Sequence, residues 1–200
     1  MMKFRTAAIA SAALAIALVL AGCSNAGMAG MDDGTGADPS AESVDTTFNA
    51  ADEMFVTGMI PHHEQALSMA AMVLDKEGVD PRVVAIAERI LAAQQPEIDL
   101  MNSWLEAWGV DPNLGEMEGM DHSGAGLMSD DDMAALEAAT GPEASRLFLE
   151  QMVQHHTGAI EMAQQELDNG ENPAALDLAQ TIIDDQTAEI AEMQELLAQL

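Results

Sequence analysis

An internal repeat is the feature of this sequence that most constrains its fold. GMIPHHEQALSMA at residues 58–70 returns as QMVQHHTGAIEMA at residues 151–163, and a second pair of related segments lies near residues 87–105 and 179–197. Within each segment apolar residues recur at spacings of three and four, the period of a helix that packs on a partner. Two similar helical hairpins predict an all-α fold, a four-helix bundle with a long crossover between its halves.

Composition and chain punctuation agree with helices. Tyrosine is absent and aromatic residues make up 3% of the chain, whereas Ala, Leu, Met, Glu and Gln are strong helix formers. Glycines and X-Pro pairs mark the helix ends. Helices are predicted at about 47–76, 81–107, 129–139, 142–168 and from 173 to the C-terminus. The predicted helical domain is 47–200, with hairpins 47–107 and 142–200 and a linker at 109–141.

The N-terminus predicts export and lipid attachment. Residues 1–22 combine Lys3 and Arg5 with an apolar run, the pattern of a secretory signal peptide. The Leu-Ala-Gly-Cys that follows resembles the bacterial lipobox, which predicts a lipid on Cys23 and anchorage at the extracytoplasmic face of the cell membrane. A signal peptide without lipid attachment is the alternative. Residues 23–46 are small, polar and Gly-rich, which predicts a flexible tether.

Charge and missing motifs exclude several classes of function. The net charge of −29 repels nucleic acid and anionic lipid and concentrates cations. The alternative is that acidity only keeps an exported protein soluble. The single cysteine excludes an intrachain disulfide, and the chain carries no Ser/His/Asp triad, phosphate-binding loop or Cys-x-x-Cys. Hydrolase, nucleotide-binding and thiol-redox functions therefore have no support.

The repeated histidines fall on or beside the predicted core faces. His62 and His155 each continue the series of core positions along their helices. His63 and His156 lie about 100° further around the helix and are expected to point toward an adjacent helix or the rim of a pocket.

Polar residues of the partner helices are predicted at the same level. Residues equidistant from a hairpin loop lie side by side, so His62 is expected next to Glu97, and His155 between Gln186 and Glu189. Ionisable groups are costly to bury unless they pair or bind a metal. Their convergence predicts a metal site, and the alternative is a set of polar groups that hydrogen-bond to each other.

Methionines complete the set of candidate ligands. At helical spacing a methionine usually fills the core, whereas in the Gly- and Asp-rich linker it is expected to have no core to fill. The predicted metal ligands are Met59, His62, His63, Glu97, Met101, Met152, His155, His156, Glu189 and Met193. The possible accessory ligands are Met117, Met120, His122 and Met128.

The ligand types favour copper over harder metals. Thioethers with imidazoles select Cu(I), and also Ag(I). A thioether needs no deprotonation and takes no part in disulfide chemistry, which suits an exported site. Glu97 and Glu189 leave iron or zinc possible, but di-iron bundles use more carboxylates than the one per hairpin available here.

Two prolines stand at the level of the predicted site in the first half only. Pro61 and Pro96 each remove a helical hydrogen bond and free the carbonyl four residues earlier, those of Thr57 and Ala92. The sequence predicts that each helix either kinks there or is replaced by a new one.

The repeated F-x-x-x-M-I-x-H-H-x-x-A and Q-x-x-E-I-x-x-M-x-x-W-L segments resemble an exported family known as domain of unknown function 305. The resemblance covers about 47–200 and implies a four-helix ferritin-like bundle with a role in extracytoplasmic copper binding and resistance. It departs at Thr157, where the first half has Glu64, and at Leu196, which replaces Trp104. The positions it implies as functional are Met59, His62, His63, Met101, Met152, His155, His156 and Met193.

Three hypotheses follow from the sequence. The first is a lipid-anchored protein that sequesters or hands on Cu(I), with metal ions as its partners and no enzymatic activity. The second is a ferritin-like metal oxidase using iron or copper, which would consume oxygen. The third is a metal-free interaction module whose buried polar groups fix the helix register.

Overall fold

The computed structural model describes residues 45–111 and 126–200 of the chain. These residues are helical, with no strand among them, as the sequence predicts. The helices begin and end close to the predicted positions. Their bounds are Ala50–Leu74 (α1), Pro81–Trp108 (α2), Asp130–Ala138 (α3), Gly141–Asn169 (α4) and Pro173–Leu197 (α5).

Capping residues account for the helix ends. Asn49 starts α1 with a capping box that its side chain shares with Asp52. Asp80 and Asn172 cap α2 and α5 with their side chains, each just before a proline. Gly109 ends α2 at a φ of 70°, a left-handed conformation that glycine adopts without strain. The sequence punctuation therefore fixes where each helix of the two hairpins starts.

The long helices pack as two hairpins. α1 packs along α2, α4 packs along α5, and the hairpins meet through α1 and α4. α2 and α5 make few contacts with each other, and the short α3 leans on α1 and α4. The result is a helical bundle whose centre lies between α1 and α4.

Two apolar clusters fill the two ends of this bundle. One contains Met69, Phe148, Met152 and Met193, and the other contains Phe55, Met59, Met101 and Trp104. The four repeated histidines belong to neither cluster, although all of them are buried. Buried side chains are usually apolar, and these four histidines are an exception. They form a polar layer in the core, the histidine layer, whose members are His62, His63, His155 and His156.

Each hairpin loop is tied to the start of the other hairpin. Asp52 in α1 accepts backbone N–H bonds from Glu171 at 3.1 Å and Asn172 at 2.9 Å, in the loop before α5. Ser145 in α4 accepts the N–H of Asp80 at 2.9 Å, in the loop before α2. These bonds satisfy backbone donors that a buried turn would otherwise leave unpaired.

The prolines do not start new helices. α1 continues through Pro61 and α2 continues through Pro96, and both proline rings are exposed on the outer face. A helix can absorb a proline there because the lost bond faces solvent rather than the core. Of the two alternatives drawn from the sequence, a fresh helix at either proline is therefore wrong.

Several predicted features lie outside the described residues. They are the signal peptide at 1–22, almost all of the tether at 23–46, the predicted lipid attachment site Cys23, and the linker residues Met117, Met120 and His122. In residues 45–111 and 126–200, none of the helices combines the length and the apolar character that a membrane crossing requires.

Candidate metal centre

Two histidine rings meet in the middle of the bundle. His62 from α1 and His155 from α4 lie with their ring centroids 3.7 Å apart and their planes tilted by 36°. Both side chains are buried, at 1% and 0% exposure. The core positions predicted for these two residues therefore bring the two halves of the sequence into direct contact.

The second histidine of each pair reaches sideways to a glutamate. His63 Nε2 lies 2.8 Å from Glu97 Oε2 on α2, and His156 Nε2 lies 2.6 Å from Glu189 Oε2 on α5. A carboxylate can only accept, so Nε2–H donates in each bond and the neutral ring keeps its lone pair on Nδ1. This direction toward the adjacent helix agrees with the sequence prediction.

The structure adds a detail to that prediction. The sequence register placed Glu97 next to His62 and Glu189 next to His155, and each glutamate bonds the histidine that follows, His63 or His156. His62 and His155 face the core and meet the opposite hairpin. The next residue on each helix is turned by about 100° and faces the partner helix of its own hairpin.

Several ring nitrogens in the layer lack hydrogen-bond partners. Nδ1 of His63, Nδ1 of His156 and both nitrogens of His155 are buried without one. The side-chain oxygens of Gln94 and Gln186, at the same level, are also buried without a hydrogen-bond partner. Buried polar groups are normally paired, so a cluster of unpaired ones calls for a specific explanation.

The electrostatics of the layer keep His155 neutral. Burial lowers its pKa well below the usual 6.5, and the neighbouring His62, His156 and His63 lower it further. A neutral imidazole offers a nitrogen lone pair, which is the form that binds a metal ion.

Methionines close the layer on both sides. Met59 and Met101, from the first hairpin, belong to the apolar cluster on one side, and Met152 and Met193, from the second hairpin, belong to the cluster on the other. All four side chains are fully buried. Each hairpin thus places its own two thioethers on one side of the histidine layer.

Met128 differs from the expectation for a linker methionine. Its side chain is 5% exposed and joins the apolar cluster of Met69 and Met152. The Gln65 side chain holds its backbone, accepting the Met128 N–H at 2.7 Å and donating to the Met128 carbonyl at 2.9 Å. The expectation that a methionine in this stretch has no core to fill is therefore wrong for Met128.

Carboxylates and imidazoles alone do not assemble a site. Within the two described stretches, no three side chains of His, Cys, Asp or Glu come together closely enough to hold one ion. Glu97 and Glu189 stand on the outer side of their histidines, with 19% and 20% of their side chains exposed.

Sequence reasoning missed a second group of buried acids. Asp52 and Glu166 are 0% and 1% exposed and lie together at one end of the bundle. The signal was present, because Glu166 continues the core series of α4 beyond His155 and Ala159 with spacings of four and seven.

Comparison with known proteins identifies the class of protein. The family model "Domain of unknown function (DUF305)" matches residues 52–197. This chain therefore belongs to the DUF305 family, as the repeated His-His segments predicted.

Solved structures of the family resemble this one. A DUF305 fragment from Deinococcus radiodurans is 30% identical with a TM-score of 0.70, and the match covers 76% of this chain and 98% of that one. CopM in its Cu(I)-bound form is 32% identical with a TM-score of 0.62, over 74% of this chain and 96% of that one. CopM has also been solved in Cu(II)-bound and Ag-bound forms.

A curated relative is matched over a shorter stretch. The uncharacterized protein L153 of Acanthamoeba polyphaga mimivirus is 40% identical over 55 residues, which is 28% of this chain. The match spans 36% of that relative's length.

Proposed function

We propose that this protein binds Cu(I), and Ag(I) by the same chemistry, in the histidine layer of a four-helix ferritin-like bundle. The observation that carries the proposal is the contact between His62 and His155, whose ring centroids lie 3.7 Å apart in the core. Two imidazoles buried against each other contribute less to a core than two apolar side chains of that size. An ion that binds their nitrogens offsets that cost.

The surroundings of the pair favour a soft ion. Met59 and Met101 on one side and Met152 and Met193 on the other place buried thioethers next to imidazoles. Cu(I) and Ag(I) accept nitrogen and thioether ligands with low coordination numbers, whereas harder ions prefer carboxylates. A thioether also needs no deprotonation and therefore binds over a wide pH range.

Glu97 and Glu189 are proposed to orient the site. Each accepts a hydrogen bond from Nε2 of the second histidine in its hairpin, which directs the remaining lone pair to Nδ1. Carboxylates that hold the far nitrogen of a metal-binding histidine are common and raise its basicity. We therefore assign His62, His63, His155 and His156 as the candidate imidazole ligands, of which no more than two would bind one ion together with thioethers, and the two glutamates as groups that fix the rings of His63 and His156.

Relatives support copper as the cargo. CopM, to which 74% of this chain is similar, has been solved with Cu(I), with Cu(II) and with Ag. A further similar structure comes from a Streptomyces coelicolor DUF305 protein whose name describes it as secreted. Together with the signal-like residues 1–22 and the lipobox-like sequence before Cys23, these relatives support an anchored protein that sequesters copper outside the cytoplasm.

A competition titration tests this proposal. Cu(I) is titrated into the purified protein in the presence of a coloured chelator, beside a variant in which His62, His63, His155 and His156 are changed to Ala. The proposal predicts tight binding by the protein and its loss in the variant. Equal binding by both proteins would refute the histidine layer as the site.

The matched control for this titration is His122→Ala. His122 is the one histidine of the five that lies outside the two repeated pairs, in the linker. If the layer is the site, His122→Ala keeps the affinity of the unchanged protein. Binding lost in His122→Ala and kept in the quadruple variant would move copper to the linker.

The same samples separate the alternatives. A ferritin-like oxidase would consume oxygen when Cu(I) or Fe(II) is added, which an oxygen electrode records. A metal-free interaction module would bind neither ion, and its melting temperature would not change with a chelator. Neither result is expected from a protein that only sequesters Cu(I).

A further inference from the structure

A groove of about 500 Å³ runs between α2 and α5, the two long helices that make few contacts with each other. Small side chains in its lining leave this space unfilled. They include Ala92 and Ala93 on α2 and Ala188 on α5. Its remaining lining includes Gln94, Glu97, Gln186 and Glu189. The groove thus lies over the polar layer rather than over either apolar cluster.

Two glutamines of the groove lining have side-chain oxygens without a protein partner. The side-chain oxygens of Gln94 and Gln186 are buried without a hydrogen bond, in residues only 3% and 4% exposed. Such groups are costly to bury unless water or an ion visits them. Ala92, which is exposed, adds a backbone carbonyl without its usual helical donor, because Pro96 four residues later has no N–H.

The groove is connected to the histidine layer through single hydrogen bonds. Glu97 and Glu189 line the groove with partly exposed carboxylates, and their other contacts are His63 Nε2 and His156 Nε2. An ion held by Glu97 is therefore separated from the buried imidazole of His63 by one side chain, and an ion held by Glu189 is separated from His156 in the same way.

One end of the groove is spanned by an ion pair. Arg89 on α2 pairs with Glu192 on α5, and each side chain is about half exposed. Asp185 adds a further acidic group to the lining. The carboxylate of Glu192 neutralises the charge of Arg89. The groups of the lining that remain to attract ions are therefore acidic.

We propose that this groove is the route by which Cu(I) or Ag(I) reaches the histidine layer. The inference rests on the proposed function and deepens it by assigning Gln94, Gln186, Glu97 and Glu189 as oxygen ligands along the way. Oxygen ligands hold a soft ion weakly, and imidazole and thioether hold it tightly. The ion therefore passes inward down a gradient of ligand affinity.

Blocking the groove tests the route. Ala92→Phe and Ala188→Phe each place a large ring in the groove from one wall, and both alanines are exposed, so folding should tolerate the change. Transfer of Cu(I) from a coloured chelator is followed by stopped flow, and release is followed with excess chelator. The route predicts that both rates fall by about tenfold while the Kd changes by less than about twofold, because a barrier on the path slows both directions.

Ala191→Phe is the matched control. Ala191 is an exposed alanine of α5, three residues after Ala188, and it does not line the groove. The control is expected to exchange copper at the rate of the unchanged protein. Unaltered rates in Ala92→Phe and Ala188→Phe, with histidine-dependent binding intact, would overturn the route.

Opening the groove gives the converse test. Glu192→Gln breaks the ion pair with Arg89 at little cost in stability, because both groups are half exposed. The route predicts that exchange speeds up, by about twofold or more. Slower exchange in this variant would contradict the inference. Absence of histidine-dependent binding in the unchanged protein would instead refute the proposed function itself.

Discussion

Buried ionisable groups occur in two regions of the bundle, at the end near Asp52 and in the histidine layer in the middle. Folding accounts only for the group at the end. At the end, the Asp52 carboxylate accepts the N–H groups of Asn49, Glu171 and Asn172. Burial raises the pKa of Glu166 to about 8, and the hydrogen bond to Asp52 and the charge of Asp52 add to the shift. The raised pKa favours the protonated form of Glu166, which can donate a hydrogen bond to the Asp52 carboxylate.

The histidine layer in the middle is different. Both nitrogens of His155 and Nδ1 of His63 and His156 have no hydrogen-bond partner. Asp52 at the end holds a helix start to a loop, whereas His63 and His156 in the middle bond the carboxylates of Glu97 and Glu189. The comparison teaches that burial of charge alone does not mark a functional site, because Asp52 at the end is accounted for by the backbone N–H groups that it accepts.

The largest expected effect separates binding from stability in the middle region. Changing His62 and His155 together to Leu should weaken Cu(I) binding by about a thousandfold or more, close to 4 kcal/mol. The metal-free protein should be about as stable as before, because apolar groups of similar size replace buried polar ones. Chelator competition and urea unfolding measure the two quantities. A loss of several kcal/mol of stability with copper affinity unchanged would reverse the comparison.

The end region should respond in the opposite way. Asp52→Ala leaves the N–H groups of Glu171 and Asn172 without an acceptor and should cost about 3 kcal/mol in free energy of unfolding. Cu(I) affinity of the folded protein should not change. Asp52→Asn keeps one carbonyl acceptor and should recover part of the loss. Copper affinity that falls in parallel with stability would mean that the two regions are not independent.

The glutamates beside the histidines give an intermediate effect. Glu97→Gln and Glu189→Gln replace a carboxylate acceptor of the imidazole N–H with an amide oxygen, and each should weaken Cu(I) binding by about 10- to 100-fold. Exposed Glu195 on α5 provides the control as Glu195→Gln. Equal affinity in all three variants would remove the orienting role assigned to Glu97 and Glu189.

The smallest expected effect concerns how the stability of the fold depends on pH. The pKa of Glu166 is raised from 4.5 to about 8, so its contribution to stability is fully present below pH 4.5 and is lost as the pH rises through 8. Burial raises the pKa of Asp52, but its hydrogen bonds from Glu166 and the backbone lower it overall. Its contribution is therefore present above pH 3.8 and is lost in more acid solution.

Glu166→Gln tests this pH dependence. The amide still donates a hydrogen bond to Asp52, so stability at pH 7 should change by no more than about 1 kcal/mol. The fall in stability between pH 4.5 and 8 should become shallower in the variant. Thermal unfolding across that range measures the slope, and an unchanged slope would mean that Glu166 does not carry the proton described.

The sequence predicted the helices and the level of the polar layer because both depend on local signals. Caps such as Asn172-Pro173 mark the helix starts, and the three-and-four spacing places His62 and His155 in the core. It did not predict which of the two adjacent histidines Glu97 bonds, since hairpin register gives the level of a residue but not which histidine turns toward the partner helix.

Other features depend on contacts between distant segments. Met128 fills the core because Gln65, far away in the chain, holds its backbone. The groove results from alanines on α2 and α5 that face each other, such as Ala92 and Ala188, and alanine at these positions is also an ordinary helix former. Neither feature has a local sequence signal, so the structure was needed to find them.

A crystal structure of the Cu(I)-loaded protein, with anomalous data collected at the copper edge, tests the central claim most directly. The claim predicts a copper peak within the histidine layer, bound by His62 or His155 and by thioethers from Met59, Met101, Met152 or Met193, with the two rings moved apart from their 3.7 Å contact. Copper found only at the linker methionines or at surface carboxylates, with the rings still in contact, would contradict it.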